Sequence, residues 1–253
     1  MKIKINGLEC GAEQGEFLLA IAERNNIPIP TLCHDEALAG QACCRICIVE
    51  LLEGEKRRVV TACVFPVVKE IEVVTDSERL RSMRRAILTL LLARAPGSER
   101  IRKLAEEYGA GLYEGFRTDE TEKCILCGLC VAACDKMGTG AISTVDRGIF
   151  KKVATPFEKP ASACIGCAAC ANACPTGAVE VSETDGRRTI WNKEFELVRC
   201  AACGAICGTR EQLEYADRKL DIRLGEYGSE ALCEACRAVK AAERLRGGLV
   251  AYR

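Results

Sequence analysis

The order of apolar and polar positions predicts a small sheet first. Residues 2–6 (KIKIN) alternate and read as a strand, and residues 16–24 (EFLLAIAER) repeat their apolar positions at helical spacing. Residues 46–52 (ICIVELL), 57–63 (RRVVTAC) and 70–75 (EIEVVT) are rich in Val and Ile and read as further strands. A mixed sheet crossed by one helix follows, with the loop PTLCHDEALAGQACCRIC between helix and strand. Two helices come next. Asp76 or Ser77 can cap the first, whose Leu80, Met83, Ile87 and Leu90 or Leu91 form an apolar stripe ended by Pro96 and Gly97. Ser98 caps the second, with Ile101, Leu104, Ala105 and Tyr108 on one face and Gly109 just past its end. Such stripes are explained by core packing or domain docking and need no cofactor. A shorter helix is expected over residues 211–219.

Composition narrows the chemistry. The chain has 253 residues, 36 basic and 36 acidic side chains, one His and 19 Cys. Zero net charge removes the basic footprint of nucleic-acid binders and gives no reason to expect a membrane surface as partner. The start, MKIKINGLEC, lacks an apolar signal core, and the run AILTLLLA is too short to span a bilayer, so a soluble, cytoplasmic protein is expected. In a reducing compartment, regularly spaced thiols are metal ligands more often than disulfides. A single His argues against zinc hydrolases and Ser-His-Asp chemistry.

The thiols fall into groups. Cys33, Cys44 and Cys47 stand at C-x10-C-x-x-C, with Cys63 sixteen positions on and Cys43 between. A two-iron cluster takes four thiolates, two per iron, whereas a zinc site usually shows two close pairs and this group has one. Gly40 and the small residues Ala37, Ala39 and Ala42 let the backbone fold closely around such a cluster. Two near-copies of C-x-x-C-x-x-C-x-x-x-C follow, CILCGLCVAAC and CIGCAACANACP, which is the bacterial dicluster run. One [4Fe-4S] site then takes Cys124, Cys127, Cys130 and Cys174, and the other Cys134, Cys164, Cys167 and Cys170. Near the C-terminus, Cys200 with Cys203 and Cys233 with Cys236 make two C-x-x-C knuckles, the pattern of a structural four-thiolate zinc site. Cys207 leaves a third [4Fe-4S] cluster as the alternative. GAGLYEG, residues 109–115, has the wrong spacing for a dinucleotide fingerprint.

The first 180 residues or so resemble the N-terminal iron–sulfur region of the complex I large iron–sulfur subunit and of iron hydrogenases. The match rests on CHDEALAGQACCRIC, on the paired ferredoxin motifs, and on the longer DKMGTGAIS that follows Cys134. The resemblance implies that Cys44 rather than Cys43 is the ligand, and that His34 packs or hydrogen-bonds beside the loop. These relatives usually carry a further cluster on one histidine and three cysteines. Residues 90–109 here contain neither residue type, so that cluster is expected to be absent, as is the large catalytic domain.

The expectation is an α+β chain: a [2Fe-2S] β-grasp domain over 1–76, a helical connector over 77–116, a bacterial-type 2[4Fe-4S] ferredoxin domain over 117–184, and a Cys-rich module over 185–253. It reads as an electron-transfer subunit without catalytic residues, linking a flavoprotein, NAD(P)H- or ferredoxin-linked partner to a catalytic subunit such as a hydrogenase or formate dehydrogenase. A self-contained iron–sulfur reductase would need a cluster with a missing ligand, and both ferredoxin motifs are complete. A redox or metal sensor would want a DNA-binding or signalling element, and none is found.

Overall fold

The computed structural model describes residues 1–38, 41–113, 115–116, 119–220 and 231–250. Two compact units divide it: Met1–Lys136 with Thr144–Val153 and Cys170–Val179, and Met137–Ser143 with Ala154–Ala169 and Glu180–Arg253.

The first unit is built on a five-stranded sheet in the order β2-β1-β5-β3-β4, from β1 (Lys2–Ile5), β2 (Leu8–Gly11), β3 (Ile48–Glu53), β4 (Lys56–Thr61) and β5 (Glu72–Val74). β1 and β5 run parallel and the other pairings are antiparallel, so the sheet is mixed as expected. β2 was not expected. It returns from β1 through an Asn6-Gly7 turn with both φ angles positive (52° and 82°), the conformation that Asn-Gly favours in tight hairpins. Ile3, Ile5, Val49, Leu51 and Val73 face helix α1 (Leu18–Arg24), which contributes Leu18, Leu19, Ile21 and Ala22 to one buried cluster.

Ser77 caps α2 (Glu78–Arg94) by accepting from the Leu80 N–H, and Ser98 caps α3 (Glu99–Tyr108) by accepting from Ile101. Gly109 ends α3 in the left-handed conformation. The buried stripe of α2 is Leu80, Arg84, Leu88 and Leu92, whereas Met83 and Leu90 are exposed. The expected stripe was displaced because it excluded an arginine. Arg84 is 1% exposed and donates to the carbonyls of Ile46 (3.3 Å), Ile48 (2.7 Å) and Thr75 (2.8 Å), so its charge is carried inside by backbone acceptors together with the Asp76 carboxylate at 3.8 Å.

Further along the chain come α4 (Leu129–Met137), a two-stranded sheet of β6 (Ser143–Val145) and β7 (Lys152–Ala154), and the short α5 (Ala169–Asn172). In the second unit, β8 (Ser182–Thr184), β9 (Arg187–Ile190), β10 (Lys193–Arg199) and β11 (Ile206–Thr209) form an antiparallel four-stranded sheet. Along β10, Phe195 and Leu197 point inward between more exposed polar neighbours, the alternation of a half-buried strand. Helices α6 (Arg210–Leu220) and α7 (Glu234–Val250) follow. Among the described residues, no helix is long and apolar enough to cross a membrane.

Candidate metal centres

The loop before β3 and the end of β4 bring four buried thiols together in two pairs. Cys33 and Cys44 Sγ lie 3.2 Å apart, and Cys47 and Cys63 Sγ lie 3.3 Å apart. The Cys44 amide points at Cys33 Sγ (3.4 Å). Ala42 and Arg45 take positive φ (50° and 59°), winding the chain so that successive N–H groups turn to one side, a concavity that suits anionic clusters. Hydrogen bonds from the Cys43 and Cys44 thiols hold Cys33 well below the ordinary thiol range, and Cys63 hydrogen-bonding brings Cys47 down to about 7. The same hydrogen bonds push the partner thiols Cys44 and Cys63 up, so each pair holds one lowered and one raised thiol; the donor set is soft and buried, which fits a two-iron cluster.

Cys43 is exposed, and its sulfur also lies 3.6 Å from the Cys127 carbonyl, an alternative acceptor for the single S–H that it can direct at Cys33. Ala39 and Gly40, expected to help the loop close, lie outside the described residues. The Nδ1 of His34 is buried, with no hydrogen-bond partner among the described residues. Arg84 was missed as a neighbour of this site, although a charged residue four positions after Leu80 and four before Leu88 is itself a signal. It holds the outer, carbonyl side of the peptide whose inner N–H belongs to Cys47.

The two ferredoxin motifs repeat in backbone as well as in sequence. In the first copy Leu126 and Gly128 have positive φ (55° and 79°), and in the second Gly166 and Ala168 do (68° and 60°). Leu126 and Ala168 accept a conformation that costs an L-residue about 1–2 kcal/mol. Both copies thereby alternate left- and right-handed residues around their first two thiols, as an anionic cluster needs. Cys130 and Cys134 are buried on α4, one helical turn apart. Burial pushes Cys127 up to about 11 and Cys130 up to about 12. For Cys174, burial acts upward but hydrogen bonds from Thr176, Ala178 and Val179 prevail and lower it. Cys33, Cys44 and Cys127 belong to one hydrophobic cluster with Leu88, Leu92, Ile101 and Leu129.

In the second unit, the β10–β11 turn carries Cys200 and Cys203, and the start of α7 carries Cys233 and Cys236. The sulfurs of these four lie within 4.8 Å of one another. The Ala201 N–H donates to the Ala231 carbonyl (2.9 Å), tying one knuckle to the other, and backbone donors led by Cys233 lower Cys200 to about 6. Cys207 stands outside this group, directed at the Ala205 carbonyl (3.9 Å).

Comparison with known proteins finds matches over the first two of these thiol-bearing regions. The profile of the 2Fe-2S iron-sulfur cluster binding domain matches residues 1–78, and that of the 4Fe-4S dicluster domain matches residues 123–178. NADP-reducing hydrogenase subunit HndD of Solidesulfovibrio fructosivorans is 34% identical over 210 residues, covering 71% of this chain and 36% of the relative. A subunit of the NADH-quinone oxidoreductase of Rhizobium meliloti is 29% identical over 234 residues (82% and 27%). NADPH-Fe(3+) oxidoreductase subunit alpha of Geobacter sulfurreducens is 31% identical over 242 residues (86% and 28%). The chain thus spans 36% or less of the length of these relatives. Among solved structures, a chain of the NAD+-reducing [NiFe]-hydrogenase in the H2-reduced state superposes with a TM-score of 0.57 at 26% identity, covering 70% of this chain and 85% of that one. With a 2Fe-2S domain followed by a 4Fe-4S dicluster domain, this mixed α+β chain matches the iron–sulfur subunits of such oxidoreductases.

Proposed function

We propose that this protein is an electron-transfer subunit of an oxidoreductase complex. Cys33, Cys44, Cys47 and Cys63 hold a [2Fe-2S] cluster. Cys124, Cys127, Cys130 and Cys174 hold one [4Fe-4S] cluster, and Cys134, Cys164, Cys167 and Cys170 hold a second. When bound, these clusters supply one-electron storage at potentials set by burial and hydrogen bonding. The chain's own part is to hold, insulate and space them. The observation that carries the reading is the shared hydrophobic cluster of Cys33, Cys44 and Cys127, which sets the two-iron loop and the first four-iron motif side by side. The domain limits 1–76, 77–116, 117–184 and 185–253 belong to the same proposal.

At the C-terminal site we assign zinc to Cys200, Cys203, Cys233 and Cys236. A tetrahedral ion with Zn–S bonds of about 2.3 Å needs thiolates about 3.8 Å apart. The grouping within 4.8 Å, with Cys207 outside it, supports one ion. A cluster that gives each thiolate its own iron spreads them further.

The donor is a flavoprotein, NAD(P)H- or ferredoxin-linked subunit, and the acceptor a catalytic subunit, in a cytoplasmic complex. The test is reduction of the purified chain. Dithionite should bleach its visible absorbance, and NADH alone should not. Rapid reduction by NADH would contradict a relay role.

A further inference from the structure

Residues 179–253 lie beyond the matched dicluster domain. Within the second unit they do something specific to the loop that carries Cys164 and Cys167. Lys193, at the start of β10, donates to the carbonyls of Ala161 (3.3 Å) and Cys164 (2.7 Å). The Thr209 hydroxyl, at the end of β11 and fully buried, donates to the Ile165 carbonyl. Arg188 of β9 donates to the Gly166 carbonyl (2.8 Å) and is itself held by Glu183 (2.6 Å). Phe195, 1% exposed, lies so close to Gly166 that a Cβ there would sit 2.7 Å from its ring. Four carbonyls of the loop are therefore capped from one side by three neighbouring strands.

We propose that the C-terminal module is a clamp for this iron-binding loop, with Lys193, Thr209 and Arg188 as its grips, Phe195 as its stop and the four-thiol metal site as its lock. The inference rests on the reading that Cys164 and Cys167 hold a [4Fe-4S] cluster. In a trans peptide the carbonyl and the following N–H point in opposite directions. Fixing the carbonyls on cationic and hydroxyl donors turns the N–H groups of the loop to the opposite side, where anionic sulfur is best stabilised. The Lys193 charge also lies behind those dipoles and favours the extra electron of the reduced cluster.

The mechanical link is one hairpin. β10 and β11 pair with Leu197 opposite Thr209. The open end of this hairpin carries Lys193, Phe195 and Thr209, and its turn carries Cys200 and Cys203. Binding a metal at the turn fixes the geometry of the strands that grip the loop. Neither domain profile covers this role, and the sequence shows it only as a Lys and a Thr of no evident motif.

The test uses the full chain, purified anaerobically, with redox titration followed by EPR and with metal analysis. In Lys193→Met, one four-iron signal should become at least tenfold harder to reduce, equal to about 59 mV for a one-electron couple. The other four-iron signal and the two-iron signal should not move. Lys193→Arg should restore the wild-type value. In Cys203→Ser/Cys236→Ser, zinc should be lost and iron should fall from about ten to about six per chain, one four-iron complement, with the two-iron signal retained. Unchanged four-iron potentials in Lys193→Met would overturn the clamp. So would a zinc-free double variant that keeps all its iron at wild-type potentials, or one that loses the two-iron signal as well, since that marks general unfolding. A wild-type chain without four-iron signals would instead overturn the underlying cluster reading.

Discussion

The two-iron loop and the C-terminal site each offer four thiols, in different plans. In the loop, the sulfurs associate as Cys33 with Cys44, buried beside Leu88, Leu92 and Ile101, and Cys47 with Cys63, buried in the core of the five-stranded sheet. At the C-terminus, the sulfurs of Cys200, Cys203, Cys233 and Cys236 make one group at the turn of a hairpin, and Cys203 is exposed. Ligand type is identical, so spacing and surroundings must distinguish the sites. Two pairs suit two metal atoms joined by sulfide, and one tight group suits a single closed ion. Burial differs too, as the proposed roles would require: a site that changes charge gains from a protected, polarised shell, whereas a structural ion only has to hold two segments together.

The comparison is broken most severely by removing a thiol from one pair. Cys63→Ala should cost the chain about two irons and the whole two-iron EPR signal, while zinc and the four-iron signals remain. Loss of zinc in this variant would mean that the two sites are not independent. The converse experiment, Cys236→Ser, should abolish zinc binding and leave the two-iron signal at wild-type intensity.

A smaller effect is expected behind the loop. Arg84→Met removes a buried cation and leaves three carbonyls without their donor, each at about 1–3 kcal/mol. Thermal melting should fall, and the two-iron potential should fall with it, because a positive charge favours the reduced cluster. Arg84→Lys should keep more of the potential than of the stability, since an ammonium preserves the charge but not the planar fork. The smallest effect should come from Cys43→Ala. It removes a weak donor from the Cys127 carbonyl but should leave iron content unchanged, which metal analysis of this variant and of Cys44→Ala would distinguish.

Much of this was legible from the chain alone. The ferredoxin thiols announce themselves because cluster geometry imposes short, fixed spacings, and the core strands do so because Val and Ile alternate or run together. What stayed hidden depends on contacts distant in sequence. Arg84 was not singled out from the sequence; in the fold the carbonyls of Ile46, Ile48 and Thr75 surround it. The four-stranded C-terminal sheet was overlooked because β8, β9 and β11 are only three or four residues long, although Asp185-Gly186 and Trp191-Asn192 mark its tight turns with positive φ. β2 was overlooked for the same reason, beside an Asn-Gly pair that gives a plain hairpin signal. At the C-terminal site the sequence shows five thiols, and only the packing groups four of them, Cys200, Cys203, Cys233 and Cys236, within 4.8 Å of one another.

Iron and zinc per chain, measured on the anaerobically purified full-length protein, test the account most directly. One two-iron and two four-iron clusters with one structural ion predict about ten irons and about one zinc. About fourteen irons without zinc would place a third four-iron cluster at the C-terminal site, and about two irons would contradict the relay altogether.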